Sequence, residues 1–249
     1  MARTHIILVH GAYHQSWHLH LLAQALEEAG YAVSTPQLPS AATDPIRPLC
    51  TLAGDTAVIK DAIEAAAASS DSIVPVFHSY GGIPGSEAVA SLSNSAKAKI
   101  IRLVYLAAFV IDQGTSLTAP SGGEPAPWAV REGNTIYVPD PISTFYHDVE
   151  PSLAQEAAKR VVRQAYEPLA ANTKHAGWKL FPATYVLCTD DRALPAERMR
   201  VRLEKIMTDE RERWEVFSLA SGHSPFLSQP DACAKVIRRA AGEDVYGYQ

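Results

Sequence analysis

Apolar residues alternate along the chain between two rhythms. Near-continuous hydrophobic runs of four to seven residues occur at 6–9, 73–77, 100–106, 185–188 and 216–219. That is the pattern of strands covered on both faces of a parallel sheet. Between the runs, apolar residues recur at helical spacing. Leu22, Ala25, Leu26 and Ala29 fall at i, i+3, i+4 and i+7, with Gly30 as a C-terminal stop. Leu52, Ile59, Ile63 and Ala66 mark a second helix. Met199, Leu203, Ile206 and Met207 mark a third, opened by Pro195 in its first turn, and Cys233, Val236, Ile237 and Ala240 the last. Strand–helix alternation of this kind predicts an α/β fold on a mostly parallel, doubly covered sheet.

The rhythm stops from 111 to 178. Turn residues crowd 119–127 and 138–141, and a helix is predicted over about 152–165. The sheet pattern resumes at Pro182. The stretch therefore reads as an insertion into a single domain spanning 1–249. An insertion of this length predicts a lid over a site, placed at 111–179.

Composition narrows the function classes. Hydrophobic residues are 47% of the 249 and charged residues 20%, an ordinary globular balance, and the net charge of -5 carries no basic footprint for nucleic acid. Cys50, Cys188 and Cys233 show no paired spacing, so no disulfide framework or zinc ribbon is expected. The opening apolar run is too short for a signal-peptide core and no stretch reaches membrane-spanning length, which predicts a cytoplasmic protein with no membrane role. No phosphate-binding loop or dinucleotide glycine fingerprint occurs, so no cofactor is implied. His14 and His18 stand at i, i+4, but no third ligand accompanies them and no metal site is predicted. The expected partner is a small-molecule substrate; a homodimer is compatible with the sequence.

The chemistry concentrates at three loops. Phe77-His78-Ser79-Tyr80-Gly81-Gly82 follows the 73–77 run and precedes a helix. A serine at such a strand–turn–helix junction has its hydroxyl pushed clear of the backbone. Gly81 supplies the small residue expected after it, whereas Phe77 stands where a glycine is expected before it. The loop after the first strand, His10-Gly11-Ala12-Tyr13-His14, can aim backbone N–H groups at the same place. Ala12 and Tyr80 are the predicted oxyanion donors. Ser79 further needs a base and a carboxylate to orient it. Aspartates follow the 185–188 run in Cys188-Thr189-Asp190-Asp191, and a histidine follows the last in Ser221-Gly222-His223. All three groups thus fall at carboxyl ends of strands, in the order serine, aspartate, histidine.

These segments resemble the α/β-hydrolase superfamily and, within it, the group of small esterases, plant methylesterases and hydroxynitrile lyases. The resemblance implies Asp191, the second carboxylate of the Cys-Thr-x-Asp pattern, as partner of His223. It also places His14 beside Ala12 as a substrate contact. Trp128 in the insertion is a second candidate contact. Lyases of the group carry a lysine after the catalytic histidine and a threonine after the first His-Gly; here those positions are Ser224 and Ala12. The expected function is therefore hydrolysis of a small, fairly apolar ester, thioester or lactone through an acyl-enzyme on Ser79. The alternatives are lyase chemistry on the same three residues, or ligand binding with slow turnover.

Overall fold

The computed structural model describes residues 3–42, 50–210 and 213–245. Its strands are β1 (Thr4–Val9), β2 (Ala32–Ser34), β3 (Ala41–Ala42), β4 (Ser72–His78), β5 (Leu103–Leu106), β6 (Val130–Glu132), β7 (Thr135–Tyr137), β8 (Arg163–Ala165), β9 (Ala183–Cys188) and β10 (Trp214–Leu219). The helices are α1 (His20–Glu28), α2 (Leu52–Ser69), α3 (Gly82–Ala90), α4 (Asn94–Lys97), α5 (Pro141–Phe145), α6 (Pro151–Lys159), α7 (Glu167–Ala170), α8 (Ala196–Glu210), α9 (Pro225–Ser228) and α10 (Pro230–Ala240).

Six strands form one sheet in the order β10-β9-β5-β4-β1-β2, every pair parallel. Burial explains why the central strands are so apolar: all of β5 and β9, and Ile73 to His78 of β4, are buried. Helices cover the sheet in two groups, α1 packing with α10 and α9, and α2 packing with α3 and α4. The edges are different. β10 alternates, with Trp214 and Leu219 buried and Val216 exposed, and β2 is only partly buried. No helix among the described residues is long and apolar enough to cross a membrane.

Between β5 and β9 the chain leaves the parallel sheet. Trp178 donates its indole N–H to the carbonyl of Ile111 (2.9 Å), tying the two ends of this insert together. On its return path, the backbone N–H groups of Lys174 and His175 both donate to the buried Glu87 of α3 (2.6 and 2.7 Å).

The expected helix over 152–165 is shorter than its apolar spacing suggests. α6 stops at Lys159, and Arg163–Ala165 is a strand instead. It joins a second, antiparallel sheet of order β3-β8-β7-β6. Pairing on both sides outweighs local helical propensity here, after the β-branched pair Val161-Val162. β3 comes from the body of the molecule, so the insert is stitched to the main domain by backbone hydrogen bonds.

Candidate active site

The site is built where β1, β4, β9 and β10 end. β4 finishes at His78, and a tight turn over Ser79–Gly81 leads into α3. Ser79 has φ +51°, a left-handed conformation that a non-glycine residue keeps only when its surroundings enforce it. Part of that enforcement is the hydrogen bond from Phe109 N–H to the Ser79 carbonyl (3.0 Å). The turn also passes close to β1: a Cβ on Gly81 would stand 2.8 Å from the His10 carbonyl oxygen.

Phe77, the departure from the expected glycine before the serine, is accommodated on the helix side. A Cβ on Gly85 of α3 would meet the Phe77 ring at 2.4 Å. The small residue that lets strand and helix approach has moved from the strand to the facing turn of the helix.

Three of the predicted residues come together across 144 residues of chain. His223 Nε2 lies 3.0 Å from Ser79 Oγ, and His223 Nδ1 lies 2.7 Å from Asp191 Oδ2. With the Nδ1 proton given to Asp191, Nε2 is left to accept the serine hydroxyl. The other oxygen of Asp191 accepts the N–H groups of Ala193 (2.8 Å) and Leu194 (2.7 Å), so the carboxylate is fixed from both sides. Asp190 points the other way. It is exposed, and its backbone N–H donates to Ser221.

Tyr80 follows the serine directly, and Gly11, the neighbour of Ala12, passes so close that a Cβ on it would meet Ser79 Cβ at 2.7 Å; Ala12 and Tyr80 are both buried. Tyr80 lies in the first helical turn, where backbone N–H groups have no intrahelical acceptor. Tyr13, next to Ala12, is left-handed at φ +66°.

Buried histidines cluster beside the relay. His14 bonds through Nδ1 to the Ala12 carbonyl (2.8 Å), its ring 5.0 Å from Phe145 and 5.5 Å from His78. Its Nε2 is buried with no partner among the described residues. His18 is spent on structure, accepting the Gln15 N–H (2.9 Å) and donating to the Ala157 carbonyl (3.1 Å). His78 donates through Nε2 to the His223 carbonyl (3.0 Å). Burial pushes His10 and His18 down to about 4 and holds His14 and His78 well below the ordinary histidine value. These four histidines are therefore neutral at physiological pH.

Residues of the insert pack against the relay and the loops that carry it. Trp128, half-buried, packs on Tyr13 (5.9 Å) and Phe145 (5.4 Å), and donates its indole N–H to the Ala193 carbonyl beside Asp191 (3.1 Å). The Phe145 ring lies 5.5 Å from that of His223. Asp148, which sequence reasoning missed, accepts the N–H of Gly222 just before His223 (2.7 Å). No spacing announces such a loop-to-loop contact.

This constellation, on this sheet, is that of a hydrolase, and family comparison agrees. The model of the alpha/beta hydrolase family matches residues 6–236, and the chain belongs to that family. It is 31% identical to the alpha/beta hydrolase nvfD of Aspergillus novofumigatus, covering 98% of this chain and 99% of that one. It is 26% identical to the alpha-hydroxynitrile lyase of Arabidopsis thaliana, over 92% and 93% of the two chains. Among solved structures, a pyrethroid hydrolase from Sphingobium faniae JZ-2 superposes with a TM-score of 0.72 at 22% identity, over 97% of this chain and 98% of that one.

Proposed function

We propose that the chain is a carboxylic ester hydrolase that works through an acyl-enzyme on Ser79. The observation that carries this reading is the unbroken relay from Ser79 Oγ through His223 to Asp191, at 3.0 and 2.7 Å. His223 Nε2 takes the hydroxyl proton as Ser79 Oγ attacks the ester carbonyl; Asp191 holds the imidazole tautomer and stabilises its cation. The N–H groups of Ala12 and Tyr80 take up the charge on the tetrahedral oxygen, each worth roughly 3 kcal/mol in such sites. The imidazolium then protonates the leaving alcohol. Water, deprotonated by His223, releases the acid and restores the serine.

Around the relay, Tyr13, Trp128 and Phe145 form an aromatic surface, which suits a small, fairly apolar ester, thioester or lactone. In this reading His14 and Trp128 contact substrate, and the insert acts as a lid. Hydrolysis is favoured over cyanide release by what surrounds His223. Its hydrogen-bonding and ring partners are Asp191, Ser79, His78 and Phe145, and the next residue is Ser224. The lysines nearest in sequence to the insert's return are placed elsewhere. Lys179 sits over the Trp178 ring, and Lys174 borders a separate cavity between α2 and α7. Among the described residues, none of these partners of His223 is a fixed cation that would stabilise a departing cyanide.

The test pairs a fluorophosphonate probe with turnover of short-chain p-nitrophenyl esters and of mandelonitrile. The probe should label Ser79 alone, and Ser79→Ala should lower kcat by ~10⁴- to 10⁶-fold with the fold intact. Ester turnover undiminished in the Ala variant, or cyanide release that exceeds it in the wild type, would overturn the reading.

A further inference from the structure

Asp55 is a carboxylate outside the relay, completely buried on α2. A buried charge of this kind is retained only where several donors satisfy it, and such networks specify geometry more than they stabilise it. Its donors are the Ser40 N–H (3.0 Å), the Ser40 hydroxyl (2.5 Å) and the Tyr80 hydroxyl (2.7 Å). Ser40 Oγ in turn accepts from Gln164 Nε2 (2.8 Å), and Gln164 Oε1 accepts the backbone N–H of Tyr13 (3.4 Å). On the other side of that residue, the Tyr13 carbonyl accepts the N–H of Val162 (2.9 Å). Ser40, Gln164, Tyr80 and Tyr13 are all buried.

Every arrow in this chain runs toward Asp55. One branch ends on the residue after Ser79, the other on the left-handed turn beside Ala12. Those are the two segments whose backbone N–H groups face the scissile carbonyl if the chain acts by acyl transfer, and the inference rests on that reading. We propose that Asp55 is a positioning residue of the oxyanion hole, holding Tyr80 and the Ala12–Tyr13 turn in fixed relation through Ser40 and Gln164. Gln164 belongs to β8, so the insert takes part in the same support.

The experiment compares Asp55→Asn, Tyr80→Phe and the double variant on p-nitrophenyl acetate. Asn keeps the volume but cannot accept all three donors; Phe removes only the hydroxyl and leaves the Tyr80 backbone N–H in place. A misplaced donor pair weakens the transition state and spares the ground state. Asp55→Asn should therefore lower kcat by ~10- to 100-fold with KM within about twofold, and Tyr80→Phe should lower it by ~5- to 10-fold. The double variant should be no slower than Asp55→Asn, because both act through one path. Affinity for a trifluoromethyl ketone, which forms a tetrahedral adduct, should fall in proportion to kcat/KM. Fluorophosphonate labelling should still reach one per chain, more slowly, which separates a slow enzyme from a partly unfolded one.

A kcat loss wholly explained by a reduced labelled fraction would overturn the proposal, as would a raised KM at unchanged kcat. If Asp55→Asn does not accumulate as folded protein, Tyr80→Phe decides alone, and wild-type kcat there overturns it. Activity retained in Ser79→Ala would instead sink the acyl-transfer reading. An inactive Ser79→Ala beside a fully active Asp55→Asn removes only the positioning role.

Discussion

Asp190 and Asp191 are neighbours with opposite surroundings. Asp191 is buried, accepts two backbone N–H groups and faces His223, whereas Asp190 is exposed. Consecutive positions on an extended segment point to opposite sides, so only one of the pair can enter the cleft. Asp191→Asn should cost ~10⁴-fold in kcat by upsetting the histidine tautomer, and Asp190→Asn less than about twofold. Steady-state kinetics on the two variants check this, and the reverse order would exchange their roles. The resemblance singled out Asp191, and of the two aspartates it is Asp191 that lies 2.7 Å from His223 Nδ1. Asp55 carries a signal in the sequence too, though a weaker one than the motif residues. It stands four residues before Ile59 and eight before Ile63, on the apolar face of its own helix. An acidic residue on a buried stripe is unexpected at any solvated helix, and here it marks the network under Tyr80.

At the scale of elements, Phe77 and Gly85 behave as one unit. The ring on β4 occupies the space that a side chain at position 85 of α3 would need. Gly85→Ala should destabilise by about 1–3 kcal/mol through overpacking. In Phe77→Ala/Gly85→Ala the combined loss should be smaller than the sum of the singles by about 1 kcal/mol or more, read from urea midpoints. Strict additivity would show that the two do not share a contact. Legibility followed burial here as well. The central strands β1, β4, β5 and β9 are buried on both faces and announce themselves as continuous apolar runs. β2 is three residues long and partly exposed, and it carries no such signal. β6, β7 and β8 are equally short. Their pairing is decided by partners far away in the chain, one of them β3, which no local window contains.

For the whole molecule, the buried histidines set the response to acid. His10 and His18 are held to about 4, and His14 and His78 well below the ordinary 6.5, burial being the largest cause in each. Below 6.5 the unfolded chain takes up protons that the native state refuses. Their contribution to stability is therefore complete above 6.5 and is lost as pH falls toward 4. Asp55, raised to about 6 mainly by burial, acts in the opposite sense. Between its ordinary 3.8 and about 6 the native state keeps a proton that the unfolded chain has released, so its contribution is present at low pH and lost as pH rises. Four histidines outweigh one carboxylate. Unfolding free energy should fall on acidification from pH 6.5 to 4.5, by about 1.4 kcal/mol per pH unit for each net proton. Urea midpoints at pH 7.5 and 5.0 measure it, and a midpoint that rises at the lower pH would contradict the assignment.

The stitching of β3 to β8 reaches beyond the static architecture. The Ser40–Gln164 bond closes a loop of 124 residues, and the turn beside Ala12 is fastened to the far side of that closure. Contacts between such distant positions form late, after helices and nearby strands have condensed. A refolding chain should thus regain its helical signal before it regains turnover, and for that interval it would be native-like yet silent. Nor is the insert a detachable module: a chain engineered without it would retain Ser79, His223 and Asp191 but lose β8, and with it the strut beneath the Ala12 turn.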